Sequence, residues 1–211
     1  MRNILIAAIA LLLSAGCTST PVASWRDLPP SDLALSDARS GTTECPQISG
    51  SYSTRLKMWG SKDGKTYSLT GSVDYLKNIH PKENRQRSPT QDHATIDKSL
   101  PRDTFMVLQE NDQAFTVLSR DKGDGPLLAL KFNGSGADYT CKNGWIELRP
   151  IEYSYNSEGT TRFVLRNLRV TKLIDGSLVY EQMWHTNQST FLVYKESYAS
   201  WDRAIYPMVG P

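Results

Sequence analysis

Histidine, cysteine and net charge are all scarce in this 211-residue chain. It has three His and three Cys, and its 24 Lys and Arg against 22 Asp and Glu leave a formal charge of only +2. A balance so close to neutral lacks the basic excess that nucleic-acid binders concentrate on one face, so no nucleic-acid partner is expected. No apolar run approaches the roughly 20 residues that a membrane-spanning helix needs. No stretch repeats apolar residues with helical period over three turns. The sequence also contains no His-Glu-x-x-His, no Gly-x-Ser-x-Gly, no phosphate-binding Walker pattern and no Cys-x-x-Cys. On these grounds no cofactor, no metal site and no catalytic residue is assigned, and an enzyme is not expected.

What is present begins with an address. Arg2 precedes an apolar run of ten residues, Ile4 to Leu13, followed by the small residues Ser14-Ala15-Gly16 and then Cys17. A positive start, a short apolar stretch and a small-residue cleavage site make an export signal covering residues 1–16. Leu13-Ser14-Ala15-Gly16-Cys17 resembles the lipobox of bacterial lipoproteins. The resemblance implies cleavage before Cys17, acylation of that cysteine and, with Thr18 rather than Asp following it, sorting to the outer membrane. Two or three acyl chains hold far more firmly than one, so the membrane is an expected partner through this anchor. Facing the periplasm is the expected orientation.

Residues 17–44 then read as the acylated cysteine and a tether rich in Pro, Ser and Thr. Trp25, Leu28, Leu33 and Leu35 are its only large apolar groups, and they offer a way for it to dock on the domain or on a partner. With Cys17 acylated, Cys45 and Cys141 remain as an even pair in an oxidising compartment, and a structural disulfide between them is expected.

From residue 45 to 211 the pattern is strand. Asp63-Gly64, Asn143-Gly144 and Asp175-Gly176 each sit between β-rich runs, as tight hairpins require. Ser51–Trp59 is expected to face Tyr67–Leu76, Tyr139–Cys141 to face Trp145–Tyr155, and Phe163–Ile174 to face Leu178–His185. Phe105–Gln109 and Ala114–Ser119 make a further hairpin, Leu127–Phe132 and Phe191–Tyr198 add strands, and Asn156-Ser157-Glu158-Gly159 makes a turn. The expectation is an all-β domain: a strongly curved antiparallel meander of about ten strands, barrel-like or two-layered, with one disulfide. Phe163-Val164-Leu165 is apolar on both alternations, which points to two covered faces. A membrane-spanning barrel is excluded because Arg162, Arg166, Arg169 and Lys172 spread charge over both faces of one long strand.

The polar stretch 77–103 interrupts this pattern with three prolines, six basic and four acidic side chains. A loop this long is commonly functional, and His80, Arg85, Arg87 and His93 are its candidate binding residues.

Three further resemblances bear on function. Gly50-Ser51-Tyr52 is similar to the Gly-x-Trp opening of lipocalins with tyrosine in the tryptophan's place, which would imply a carrier of a lipid or another amphipathic ligand. Tyr139-Thr140-Cys141-Lys142-Asn143-Gly144 resembles the opening of small lipoprotein inhibitors of C-type lysozyme. Their inhibitory loop should follow this strand, however, whereas its counterpart Ser135–Tyr139 overlaps it. Across most of the mature domain, Cys45-Pro46-Gln47-Ile48-Ser49-Gly50-Ser51-Tyr52 and the Cys-x-x-Gly-Trp turn look like proteobacterial lipoproteins of no assigned activity. The expected function is an envelope-anchored module that binds a protein partner, with the carrier that the lipocalin resemblance implies as the alternative.

Overall fold

Two-residue turns set the geometry of the β domain. Asn143 and Gly144 both hold positive φ (52° and 75°), as do Glu158 and Gly159 (49° and 76°). Such turns twist the chain in the sense that lets flanking strands pair directly. The computed structural model describes Trp25 and residues 44–62, 65–72, 100–110, 113–120, 127–134, 136–190 and 194–209. Cys17, the candidate loop residues His80, Arg85, Arg87 and His93, and the Asp63-Gly64 dipeptide lie outside them.

Eleven strands form within these residues. They are β1 (Gly50–Ser53), β2 (Arg55–Lys62), β3 (Lys65–Ser72), β4 (Thr104–Glu110), β5 (Ala114–Arg120), β6 (Leu127–Asn133), β7 (Tyr139–Lys142), β8 (Trp145–Ser157), β9 (Thr160–Lys172), β10 (Leu178–Thr190) and β11 (Tyr194–Tyr206). All pair antiparallel, in a four-stranded sheet of order β1-β4-β5-β6 and a seven-stranded sheet of order β3-β2-β11-β10-β9-β8-β7. The two-layer alternative is therefore the one realised, and the sheets do not close into a barrel.

The expected strand Ser51–Trp59 is in fact two. Its first half, β1, pairs with β4 in the small sheet, while β2 pairs with β3 and β11 in the large one. The break falls at Thr54, whose backbone N–H goes instead to the carbonyl of Asp103. The Asp175-Gly176 turn also differs from expectation, since only Gly176 has positive φ. Gly176 donates to Leu173 and Leu173 to Ser177, so the turn is wider than two residues. The strands entering and leaving it run further than expected: β10 continues past His185 to Thr190.

Between the sheets lies one large core. Tyr52, Phe105, Val107, Phe115, Val117, Leu130 and Phe132 from the small sheet meet Leu56, Met58, Tyr139, Ile146, Leu148, Leu168, Val170, Leu178, Tyr180, Ala204 and Tyr206 from the large one. Phe105 packs edge-on against Tyr206, and Phe115 stacks on Phe132. The strand buried on both faces is β5, whose Ala114–Ser119 side chains are all buried because Leu118 packs with Leu100, Leu127 and Ala129 on the far side of the small sheet. Phe163-Val164-Leu165 does not share this burial, because Phe163 is 57% exposed.

Cys45 and Cys141 form a disulfide with Cα atoms 5.0 Å apart, tying the segment before β1 to the edge strand β7 across 96 residues of sequence. In the chain-entropy account, closing so long a loop stabilises by roughly 4–5 kcal/mol at most. Cys45→Ala and Cys141→Ala should therefore lower the melting temperature by similar amounts, with no further loss in the double variant. Melting curves of all three variants, followed by circular dichroism, test this. An unchanged melting temperature in either single variant contradicts it.

Candidate functional site

The large sheet is longer than its cover. Strands β8 to β11 each have 13 residues, about 43 Å of chain, whereas β4, β5 and β6 have seven, about 23 Å. Every core residue of β8 to β11 comes from the half nearest the Asn143-Gly144 and Asp175-Gly176 turns. The other half, around residues 151–166, 184–190 and 194–200, overhangs the small sheet.

Register assigns side chains to its two faces. Tyr153 lies opposite Val164, Tyr155 opposite Arg162, Trp184 opposite Arg166, and Thr186 opposite both Val164 and Tyr198. These residues continue the face that carries Leu168 and Tyr180, so the core-bearing face runs out from under the small sheet and becomes aromatic and basic. Tyr153 and Tyr155 remain 47% and 43% exposed, with ring centroids 6.3 Å apart. Arg162 lies 5.7 Å from the Tyr155 ring centroid, donates to its hydroxyl at 3.3 Å and donates through Nε to Gln188 at 3.1 Å. The hydrogen bond to Tyr155 and the phenol's charge raise the Arg162 pKa above its ordinary value. Arg166 stands 5.7 Å from the Trp184 ring centroid. Beside it, Tyr67, Trp184, Tyr198, Ser61 and Lys62 line an open cleft of about 250 Å³.

A polar network closes the core where the overhang starts. Gln182, fully buried, donates to Asp202 Oδ2 at 2.8 Å and accepts from Tyr180 Oη at 2.7 Å and Arg166 Nε at 3.0 Å. Asp202 Oδ1 accepts from the Tyr67 hydroxyl. Gly60 sits opposite Asp202, and a Cβ there would collide with both the Asp202 carboxylate and the Tyr67 ring, which explains a glycine inside a strand.

On the outer face a charge ladder crosses four strands in one row, Glu147, Arg169, Glu181 and Arg203 on β8, β9, β10 and β11, and Trp59 on β2 stands next to Arg203 at its end. Glu181 has no exposed surface and accepts from Arg169 at 2.6 Å and Arg203 at 2.5 Å. Burial lowers the Arg169 pKa and Glu181 opposes that shift. The Arg169 guanidinium lies between two indoles, 4.1 Å from the Trp145 centroid and 4.3 Å from that of Trp25. Of the four apolar tether residues considered for docking, Trp25 thus meets the domain; the other three lie outside the described residues.

Ser197 Oγ and His185 Nε2 are 3.2 Å apart, a nucleophile–base contact invisible in the sequence. His185 Nδ1 is buried without a hydrogen-bond partner, so no acid orients the ring as an activated serine requires. His185 is half-buried, consistent with a packing role. Among the described residues no group of three His, Cys, Asp or Glu could hold a metal ion. No protein-family model matches the chain, and comparison with curated proteins and with solved structures finds no match either.

Burial raises the Asp202 pKa, and hydrogen bonds from Tyr67 and Gln182 and the charge of Arg166 only partly oppose it. A carboxyl whose pKa is higher folded than unfolded holds its proton better in the native state. Its ionisation therefore weakens the fold as pH rises through the native pKa, and acidification through that range restores the stability. Stability of the wild type relative to Asp202→Asn should rise as pH falls from neutral toward the ordinary carboxylate range. Paired urea titrations across that range check this, and a pH-independent difference refutes it.

Proposed function

We propose that this chain is an outer-membrane lipoprotein, anchored through Cys17 and facing the periplasm, that acts as a protein-interaction module of the cell envelope. The observation that carries this reading is the overhang, where Tyr153 and Tyr155 are 47% and 43% exposed beside Arg162 on one face of the paired strands, and Phe163 is 57% exposed on the other. Tyrosine, tryptophan and arginine are the residues that most often dominate the energetics of protein interfaces. Here they are pre-organised, because sheet pairing fixes the backbone and ring–guanidinium contacts restrict the rotamers, which lowers the entropic cost of binding. An acyl anchor adds local concentration at the membrane surface.

The carrier alternative draws less support. The space between the sheets is filled by Tyr52, Phe105, Tyr180 and Tyr206, none of which has any exposed surface. The clefts on the overhang are open rather than enclosing.

A photo-reactive residue in place of Tyr153, in the anchored protein in living cells, should capture a specific protein. Arg162→Ala with Tyr155→Ala should reduce that capture about tenfold or more, as loss of interface anchors does. Cys17→Ser should leave an uncleaved or soluble protein. Capture unaffected by the double variant, or normal membrane fractionation of Cys17→Ser, contradicts the reading. Lipid copurifying in native mass spectrometry favours the carrier.

A further inference from the structure

The overhang ends in an open strand edge. β7 pairs with β8 only from Trp145 to Leu148, and Arg149 N–H makes the last bond to that side, to the carbonyl of Asp138. Pro150, which has no N–H, follows in a bulge where the register slips between Leu148 and Ile151. Beyond it, Ile151–Ser157 pairs with β9 on one side, and on the other it meets no strand among the described residues.

The turn fixes which backbone groups face that open side. Glu158 and Gly159 form a two-residue hairpin loop, so the flanking pair Ser157–Thr160 exchanges both of its hydrogen bonds. Counting back in steps of two, Tyr155, Tyr153 and Ile151 also bond to β9. Glu152, Ser154 and Asn156 therefore direct their N–H and C=O groups outward. Such an edge is a template for strand addition. Charge, the usual guard, is sparse: Glu152 is the only charged residue in Ile151–Ser157, whereas the other open edge of the overhang, on β11, presents exposed Lys195 and Glu196 side by side.

We propose that this edge pairs with the same edge of a second copy of the chain, antiparallel about a two-fold axis that passes between Ser154 and the partner's Ser154. Opposed residues in an antiparallel pair must both point their backbone groups toward the neighbour or both away. Of the registers that satisfy this, the axis at Ser154 is the one that engages all three outward residues. Ser154 then faces the partner's Ser154, and Glu152 faces the partner's Asn156. Three residues, each supplying one donor and one acceptor, give six backbone hydrogen bonds across the interface.

The side chains agree with this register. Tyr153 falls opposite the partner's Tyr155 in a pair without mutual backbone bonds, the kind in which side chains approach most closely. On the other face, the Glu152 carboxylate meets an amide donor rather than a like charge. The ladder fits between Pro150 and the Glu158-Gly159 turn of each copy, and the contact is isologous and closed, giving a dimer rather than a fibre. Four overhang strands from each copy then form one sheet of eight. This pairing rests on the backbone edge of β8 and not on the anchor, although Tyr153 and Tyr155 border both it and the proposed interaction surface.

The full-length protein in detergent should sediment as a dimer that dissociates on dilution. Ser154→Pro removes an outward N–H without touching the bonds to β9, and it should be monomeric with an unchanged melting temperature on dilution. A short bis-maleimide should link Ser154→Cys to itself, and Glu152→Cys to Asn156→Cys in a mixture. Neither the wild type nor Ser197→Cys on β11 should be linked. A wild type that stays monomeric at all concentrations overturns the proposal, as does Ser154→Pro that still dimerises or crosslinks that follow a different register.

Discussion

A mismatch in strand length governs this molecule. Four strands of 13 residues cannot be covered by a sheet whose longest strands have seven. The covered half builds a core of aromatic and branched side chains, and the uncovered half must reconcile an extended sheet with water. It does so with residues that are at once apolar and polar-tipped: Tyr153, Tyr155, Trp184 and Tyr198, with Arg162 and Arg166 laid over two of the rings. Amphipathic side chains of this kind tolerate solvent and also bind well.

Each face of the large sheet holds its own polar cluster. On the inner face the Gln182–Asp202–Tyr67–Arg166 network stands where apolar packing ends, and it shields the core from the overhang. Its members are linked across 135 residues of sequence, from Tyr67 to Asp202, so it also ties β3 to the centre of the sheet. On the outer face Glu181 is held between two arginines, one of them enclosed by Trp145 and Trp25. Buried ions are stabilising only when their partners are well placed, and leaving either side unpaired typically costs about 3–5 kcal/mol. The alternating order Glu147, Arg169, Glu181, Arg203 meets that demand, because each charge has an opposite neighbour one strand away. Trp25 joins this cluster from the segment preceding the β domain, which places part of the expected tether against β9.

The class of fold was legible because its signals are local. Asn143-Gly144 states its turn outright, since two adjacent positive φ values admit few other residues. The disulfide followed from setting Cys17 aside. What stayed hidden depends on distant contacts. Nothing around Thr54 marks the point where the chain leaves one sheet for the other. His185 looked like a strand end because the apolar run stops near it, yet β10 continues through polar residues that need no burial on an overhang. Phe163-Val164-Leu165 promised two covered faces, but only Val164, on the inner face, is buried; Phe163 stands on the outer face, which the small sheet does not cover. The charge ladder and the Gln182 network were invisible for the same reason, because register, not composition, brings their members together.

The account centres on the division of the large sheet into a covered half and an exposed platform, and hydroxyl-radical footprinting of the intact protein tests that division residue by residue. Tyr153 and Tyr155 should be oxidised rapidly, while Tyr52, Tyr180, Tyr206 and Phe105, which have no exposed surface, should be protected until the protein unfolds. Equal protection of both groups would mean that a further layer covers the overhang, and the platform on which the functional reading rests would not exist.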